Sequence, residues 1–329
     1  MALLFGIAGG LVRLGVAVPA PAGAVALHGA LMVSGFLGTV IGLERAVALG
    51  QRWAYGAPLA SGVGGVCLLA GLYDSGFALL AFAAALLVAA SAAVFLRQRS
   101  LEMATLAAGA VAWLAGNLTL YAGLPAAPWW IAFFALTIGG ERLELSRYLK
   151  RPPAVRFYFL ALVALLLVAP LVPRALGLVL VLLALWLLAY DLARVTVRQQ
   201  GLTRYIAVCL LSGYAWLALG GALLAAAVAY DAALHAIFVG FVFSMVFGHA
   251  PVILPAVLRV PLPYSRALYL PLAVLHASLA ARVLGGMLET QFLLRLGAWG
   301  NAAAIVLFIA AGATLVLGRR GRQGGAGRG

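Results

Sequence analysis

From Ala2 to Leu317 the chain is a series of apolar runs, separated by short stretches rich in proline, glycine or arginine. Crossing the ~30 Å hydrocarbon layer of a bilayer takes about 20 apolar residues in helical form. Helices and closed barrels are the only backbones that satisfy their own amide groups there. This patterning predicts an all-α fold, a polytopic membrane helix bundle. Breaks at proline, glycine and charge give twelve expected spans: 2–18, 24–48, 54–72, 76–96, 103–121, 127–146, 155–172, 175–196, 205–229, 233–258, 265–285 and 292–317. Only 9% of residues are charged and 66% are hydrophobic, against about 25% and 45–50% in soluble domains. With a mean hydropathy of +1.12, lipid is the expected solvent and partner. One transmembrane domain is expected over 1–318, followed by a Gly- and Arg-rich tail, 319–329, without fixed structure. Met1 to Val18 precedes Pro19-Ala20-Pro21-Ala22, but it has no basic leader and Arg13 interrupts it. It reads as an uncleaved first helix.

The net charge of +14 does not point to nucleic acid. The basic residues sit in short clusters between apolar runs, with no basic face and no nucleic-acid-binding motif. With the N-terminus in the cytoplasm, eighteen of the 22 basic residues fall on cytoplasmic connections or the tail. The outer connections hold only Arg174, Arg282 and Arg295, with Asp74 and Asp231, and Arg13 lies within a span. That bias predicts an integral membrane protein with both termini cytoplasmic, in a bacterial inner (plasma) membrane. Cys67 and Cys209 stand alone in apolar runs and read as core residues. No Cys/His spacing suits structural zinc.

An internal repeat runs through the chain. Thr39-Val40-Ile41-Gly42-Leu43-Glu44-Arg45 in the second span aligns without gaps with Leu136-Thr137-Ile138-Gly139-Gly140-Glu141-Arg142 in the sixth. The tenth span opens on His235-Ala236 as the second opens on His28-Gly29, and His249 then falls where Gly42 and Gly139 fall. Equivalence of spans two, six and ten implies three pseudo-repeated four-helix units. Glu44-Arg45 and Glu141-Arg142 read as ion pairs near the cytoplasmic ends.

Polar side chains at membrane depth are costly and tend to be functional, and the chain has four histidines. His28 and His235 lie near the outer ends of spans running the same way, about 3 Å apart in depth at 1.5 Å per residue. Two imidazoles so placed can clamp one iron from opposite faces. They suit interfacial residues in contact with headgroups as well. No CxxCH is present, so a haem would be non-covalent, b-type or similar. Arg13, at similar depth, can pair with a haem propionate or snorkel to the interface. His249 follows His235 by about four turns on roughly the same face, ~21 Å deeper. With His276 of the next span it suits a second haem or a copper ion, or a hydrogen-bonded core pair.

His28-Gly29-Ala30-Leu31-Met32-Val33-Ser34-Gly35-Phe36 resembles the His-Ala-His-Glu-Met-x-x-Gly-Phe motif of the NnrS family. His235-Ala236-Ile237-Phe238-Val239-Gly240, with Met245 beyond it, resembles a second NnrS motif. The resemblance implies a twelve-helix protein, similar in architecture to the catalytic subunit of haem-copper oxidases. It implies haem on His28 and His235, copper, and a link to nitric oxide stress. Ala30 and Leu31 replace the second His and the Glu of the motif, and the sixth and seventh spans hold no histidine. The oxidase copper site therefore does not carry over. Two functions are expected from different classes. One is haem-based redox chemistry or handling of a small gas such as nitric oxide, with an unidentified electron donor. The other is a transporter or channel whose histidines pass protons or a metal ion.

Overall fold

The computed structural model describes all residues except 146–151, 259, 261 and 326–329, and side chains are described outside 256–258 and 318–325 as well. Among the described residues the chain is mostly helical, without strands. In chain order the helices are α1 (Ala2–Arg13), α2 (His28–Leu49), α3 (Gly56–Leu69), α4 (Tyr73–Arg97), α5 (Leu101–Tyr121) and α6 (Ala127–Leu145). They continue as α7 (Pro153–Leu171), α8 (Pro173–Tyr190), α9 (Gly201–Ala226), α10 (Tyr230–Pro255, running on to Leu258), α11 (Arg266–Met287) and α12 (Gln291–Gly325). Short helices at Ala22–Ala26 and Ala193–Thr196 complete the set.

Each expected span coincides with a helix, but the spans are not alike. Among the described residues nine helices are long and apolar enough to cross a membrane. The other three expected spans differ for physical reasons. The α1 helix has 12 residues and α3 has 14, roughly 18 and 21 Å at 1.5 Å per residue. The α6 helix carries Glu141, Arg142 and Glu144 at one end and is buried without a break from Trp130 to Gly140. A helix covered on all sides by protein reads, in sequence, like one covered by lipid. Arg147, Lys150, Arg151, Arg259 and Arg328, part of the charge bias, lie outside the described residues. The last helix continues through 319–325 of the expected tail, and 326–329 lie outside the description.

The breaks follow local chemistry. Gly50, Gly71 and Gly123 take positive φ at helix ends, where a side chain would meet the backbone. Pro153 and Pro173 open helices at positions whose N–H needs no helical partner. Ser100 caps α5 by accepting from the Met103 amide at 3.3 Å.

The chain packs as two compact units, Met1–Leu183 and Ala184–Gly329. In the first, α1 lies on α2 and the packing then runs through α3, α4, α5 and α6, with α7 against α5 and α6. In the second, α9 packs on α10, α10 on α11, and α11 on α12, with Phe247 stacked on Phe308 at 4.0 Å between centroids.

The α2 and α10 helices share a feature. Both contain an eight-residue π-helical stretch, Leu31–Gly38 in α2 and Ala236–Phe243 in α10. Such stretches are rare and recur at functional sites. The α6 helix, the third member of the expected repeat, is an unbroken α-helix.

Candidate functional site

In the first unit, His28 opens α2 just before the π-helical stretch. Its ring faces α1, whose glycines let α1 approach both the short helix Ala22–Ala26 and the His28 ring closely. A methyl group at Gly9 would stand 2.1 Å from the Ala24 carbonyl oxygen, and one at Gly10 would stand 2.8 Å from His28 Cε1. His28 Nδ1 lies 2.6 Å from the carbonyl oxygen of Gly6. A carbonyl only accepts, so the hydrogen bond places the ring proton on Nδ1 and leaves the lone pair on Nε2. Metal-ligating histidines commonly take this form. Arg13, exposed, stands three residues beyond Gly10 on α1, about 4.5 Å further along the same face.

Behind His28 the π-helical stretch meets a buried polar network. Ser34 Oγ donates to Asn117 Oδ1 at 2.7 Å and accepts from Trp113 Nε1 at 3.0 Å. Trp130 Nε1 donates to the same Asn117 oxygen at 3.1 Å, and Asn117 Nδ2 donates to the Leu80 carbonyl at 2.9 Å. Ser61 Oγ donates to the Ser34 carbonyl at 2.6 Å. The network ties α2 to α3, α4, α5 and α6, and each of these polar atoms is matched, as burial requires.

Further along these helices Glu141 of α6 lies within electrostatic reach of Arg45 of α2, and of Arg142 and Glu144 on its own helix. Arg142 is buried.

In the second unit, His235 ends the first turns of α10 immediately before the second π-helical stretch. Its Nδ1 lies 2.8 Å from the Asp231 carbonyl oxygen and 3.3 Å from Asp231 Oδ2. The same Oδ2 accepts from Arg282 Nη2 of α11 at 3.2 Å. His235 therefore carries its proton on Nδ1, like His28, and keeps the Nε2 lone pair.

His249 has the same arrangement, with Nδ1 2.8 Å from the Met245 carbonyl oxygen, and Pro251 and Pro255 follow inside the helix. His276 is the reverse. The Trp216 indole, which can only donate, gives its N–H to His276 Nδ1 at 2.9 Å, and the two rings are stacked. The proton then belongs on Nε2, which is buried and has no hydrogen-bond partner among the described residues. An imidazole in that form does not offer Nε2 to a metal.

His249 and His276 also occupy different layers. Gly248, beside His249, packs on Cys209, whereas Gly240 packs on Trp216, the partner of His276. Those two α9 positions are seven residues, about 10 Å, apart. Among the described residues no group of three or more His, Cys, Asp or Glu side chains converges as a metal site. Cys67 and Cys209 are free thiols, half-buried and buried.

Sequence reading missed Asp231, Arg282 and Trp216. Asp231 stands four residues before His235, one turn away on the same helix face, and that spacing was the available signal. Arg282 is counted with the outer charges at the end of its expected span, and its burial, with a side chain 9% exposed, and its ion pair with Asp231 were not readable. Nothing in the sequence marks Trp216.

The fold and these sites define an integral membrane protein of α-helices, with histidines seated at helix distortions. The chain belongs to the family described as Domain of unknown function (DUF8744), whose model matches residues 1–317. No curated protein and no solved structure matches the chain.

Proposed function

We propose that the protein binds haem, non-covalently and of b type, with His28 and His235 as iron ligands and Arg13 placed to meet a propionate. One observation carries this reading. Both histidines stand at the start of a π-helical stretch, and both have Nδ1 tied to a carbonyl oxygen, the tautomer an Nε2 ligand needs. The short likenesses to NnrS motifs at the same two histidines point the same way. Haem bound there would supply one-electron chemistry, and a small gas would bind only where it displaced one of the two histidines.

The finer reading goes with it. Twelve helices cross a bacterial inner membrane with both termini in the cytoplasm, in three related four-helix units, and the protein serves redox chemistry or nitric oxide handling with an electron donor still to be identified. A second haem or copper at His249 and His276 has less support, given their different layers and the tautomer of His276.

The test is the absorption spectrum and pyridine haemochrome of the purified protein, with His28→Ala and His235→Ala beside it. Loss or a high-spin shift of the Soret band in both variants supports the assignment. If haem remains with an unchanged spectrum in both, other residues hold it.

Another reading rests on the distortions themselves. The π-helical stretches and the prolines of α10 are what a helix that opens for transport would contain. A protein that is colourless when expressed with ample haem, and that carries protons or metal ions in vesicles, would establish that reading instead.

A further inference from the structure

We propose that Asp231 is a positioning residue that sets the donor strength of His235, and that Arg282 opposes it through the same carboxylate oxygen. The inference rests on His235 being an iron ligand, and it adds a residue that tunes that ligand.

Asp231 is the second residue of α10 and His235 the sixth, so the carboxylate and the imidazole share one face, one turn apart. The residues leading into this turn, Ala227 and Ala229, both take positive φ, 56° and 45°. That conformation disfavours alanine, so the approach to Asp231 is held by surrounding structure. The His235 Nδ1–H bond is shared between the backbone oxygen and Oδ2 of one residue, at 2.8 and 3.3 Å. A carboxylate beside the Nδ1 proton draws it away from the ring and raises electron density at Nε2, which strengthens a metal bond there. Arg282 pulls on the same Oδ2 from α11 at 3.2 Å. Its side chain is 9% exposed against 60% for Asp231, so its charge acts from the less solvated side.

The two charges have opposite effects on a metal at His235. The negative charge of Asp231 favours the more positive oxidised ion and lowers the reduction potential. The positive charge of Arg282 partly cancels that. A purely structural role would make either substitution loosen the site in the same direction.

Three readouts on the full-length protein test this. In the haem-loaded protein, Asp231→Asn is expected to raise the midpoint potential and Arg282→Gln to lower it. Asp231→Asn is also expected to weaken haem binding about 10-fold, the lower end for loss of such a partner. Asp231 is exposed, so its amide variant keeps the fold even where Arg282→Gln does not. In the haem-free protein labelled with ¹⁵N-histidine, the four histidines give few enough signals for His235→Ala to assign the relevant one. The His235 Nδ1 proton is expected to move upfield in Asp231→Asn. Potentials that shift in the same direction in both variants, or a proton resonance that does not move, would overturn the proposal. Absence of haem from the wild-type protein would defeat the functional assignment instead, and the proton resonance would still decide whether Asp231 acts on the ring.

Discussion

The hydrogen bonds at each imidazole separate four histidines that look alike in sequence. His28, His235 and His249 direct Nδ1 at a carbonyl oxygen, while His276 accepts at Nδ1 from an indole. The position of His28 depends on the missing side chain at Gly10. Gly10→Leu places a Cβ 2.8 Å from the ring, with more bulk behind it, and is expected to displace His28. The Soret band of the haem-loaded protein should then fall or shift while far-ultraviolet circular dichroism stays unchanged. Asn117→Ala is a control of a different kind, because it leaves the Ser34 hydroxyl and the Trp130 indole without their common acceptor. At about 1–3 kcal/mol for each buried unsatisfied group, it is expected to destabilise the first unit by roughly 2–6 kcal/mol. Unfolding in detergent should show this, with no direct effect on the His28 tautomer.

Among the elements, most helix boundaries were legible in sequence, because a lipid-facing helix must be continuously apolar and its ends are marked by Pro, Gly and Arg. What was not legible has one cause: hydropathy does not say what covers a helix. Trp130 to Gly140 of α6 is apolar because protein surrounds it, and α1 and α3 are apolar but short. The π-helical stretches were invisible for another reason. Wide turns have no residue pattern of their own, and the closest packing within these two, of Gly38 on Trp113 and Gly240 on Trp216, comes from other helices. The spacing of His28 and His235 was readable, whereas the groups that fix their protons were not, since Gly6 acts through its backbone and Arg282 comes from another helix. The π-helical stretch of α2 predicts an outcome. Deleting Val33 lets the ladder close as an ordinary α-helix, which removes the wide turns and changes the angle and rise between His28 and Ser34. Haem binding should be lost with helix content retained, and haem binding at wild-type level would mean that the stretch does not orient the ligand.

For the molecule as a whole, the charge bias predicts an orientation, which the helices alone do not. Arg52 lies in the exposed turn between α2 and α3. Arg52→Cys, made with Cys67 and Cys209 replaced by serine, is expected to react with a membrane-impermeant maleimide only from the cytoplasmic side. Labelling only from outside would invert the topology and remove the depth argument for Arg13, His28 and His235. The most direct test of the central claim is the visible spectrum of the protein expressed with sufficient haem and purified in detergent. The account predicts a Soret band, a b-type pyridine haemochrome, and loss or a high-spin shift of that band in His28→Ala and in His235→Ala. A colourless wild-type protein that takes up no added haem would contradict it.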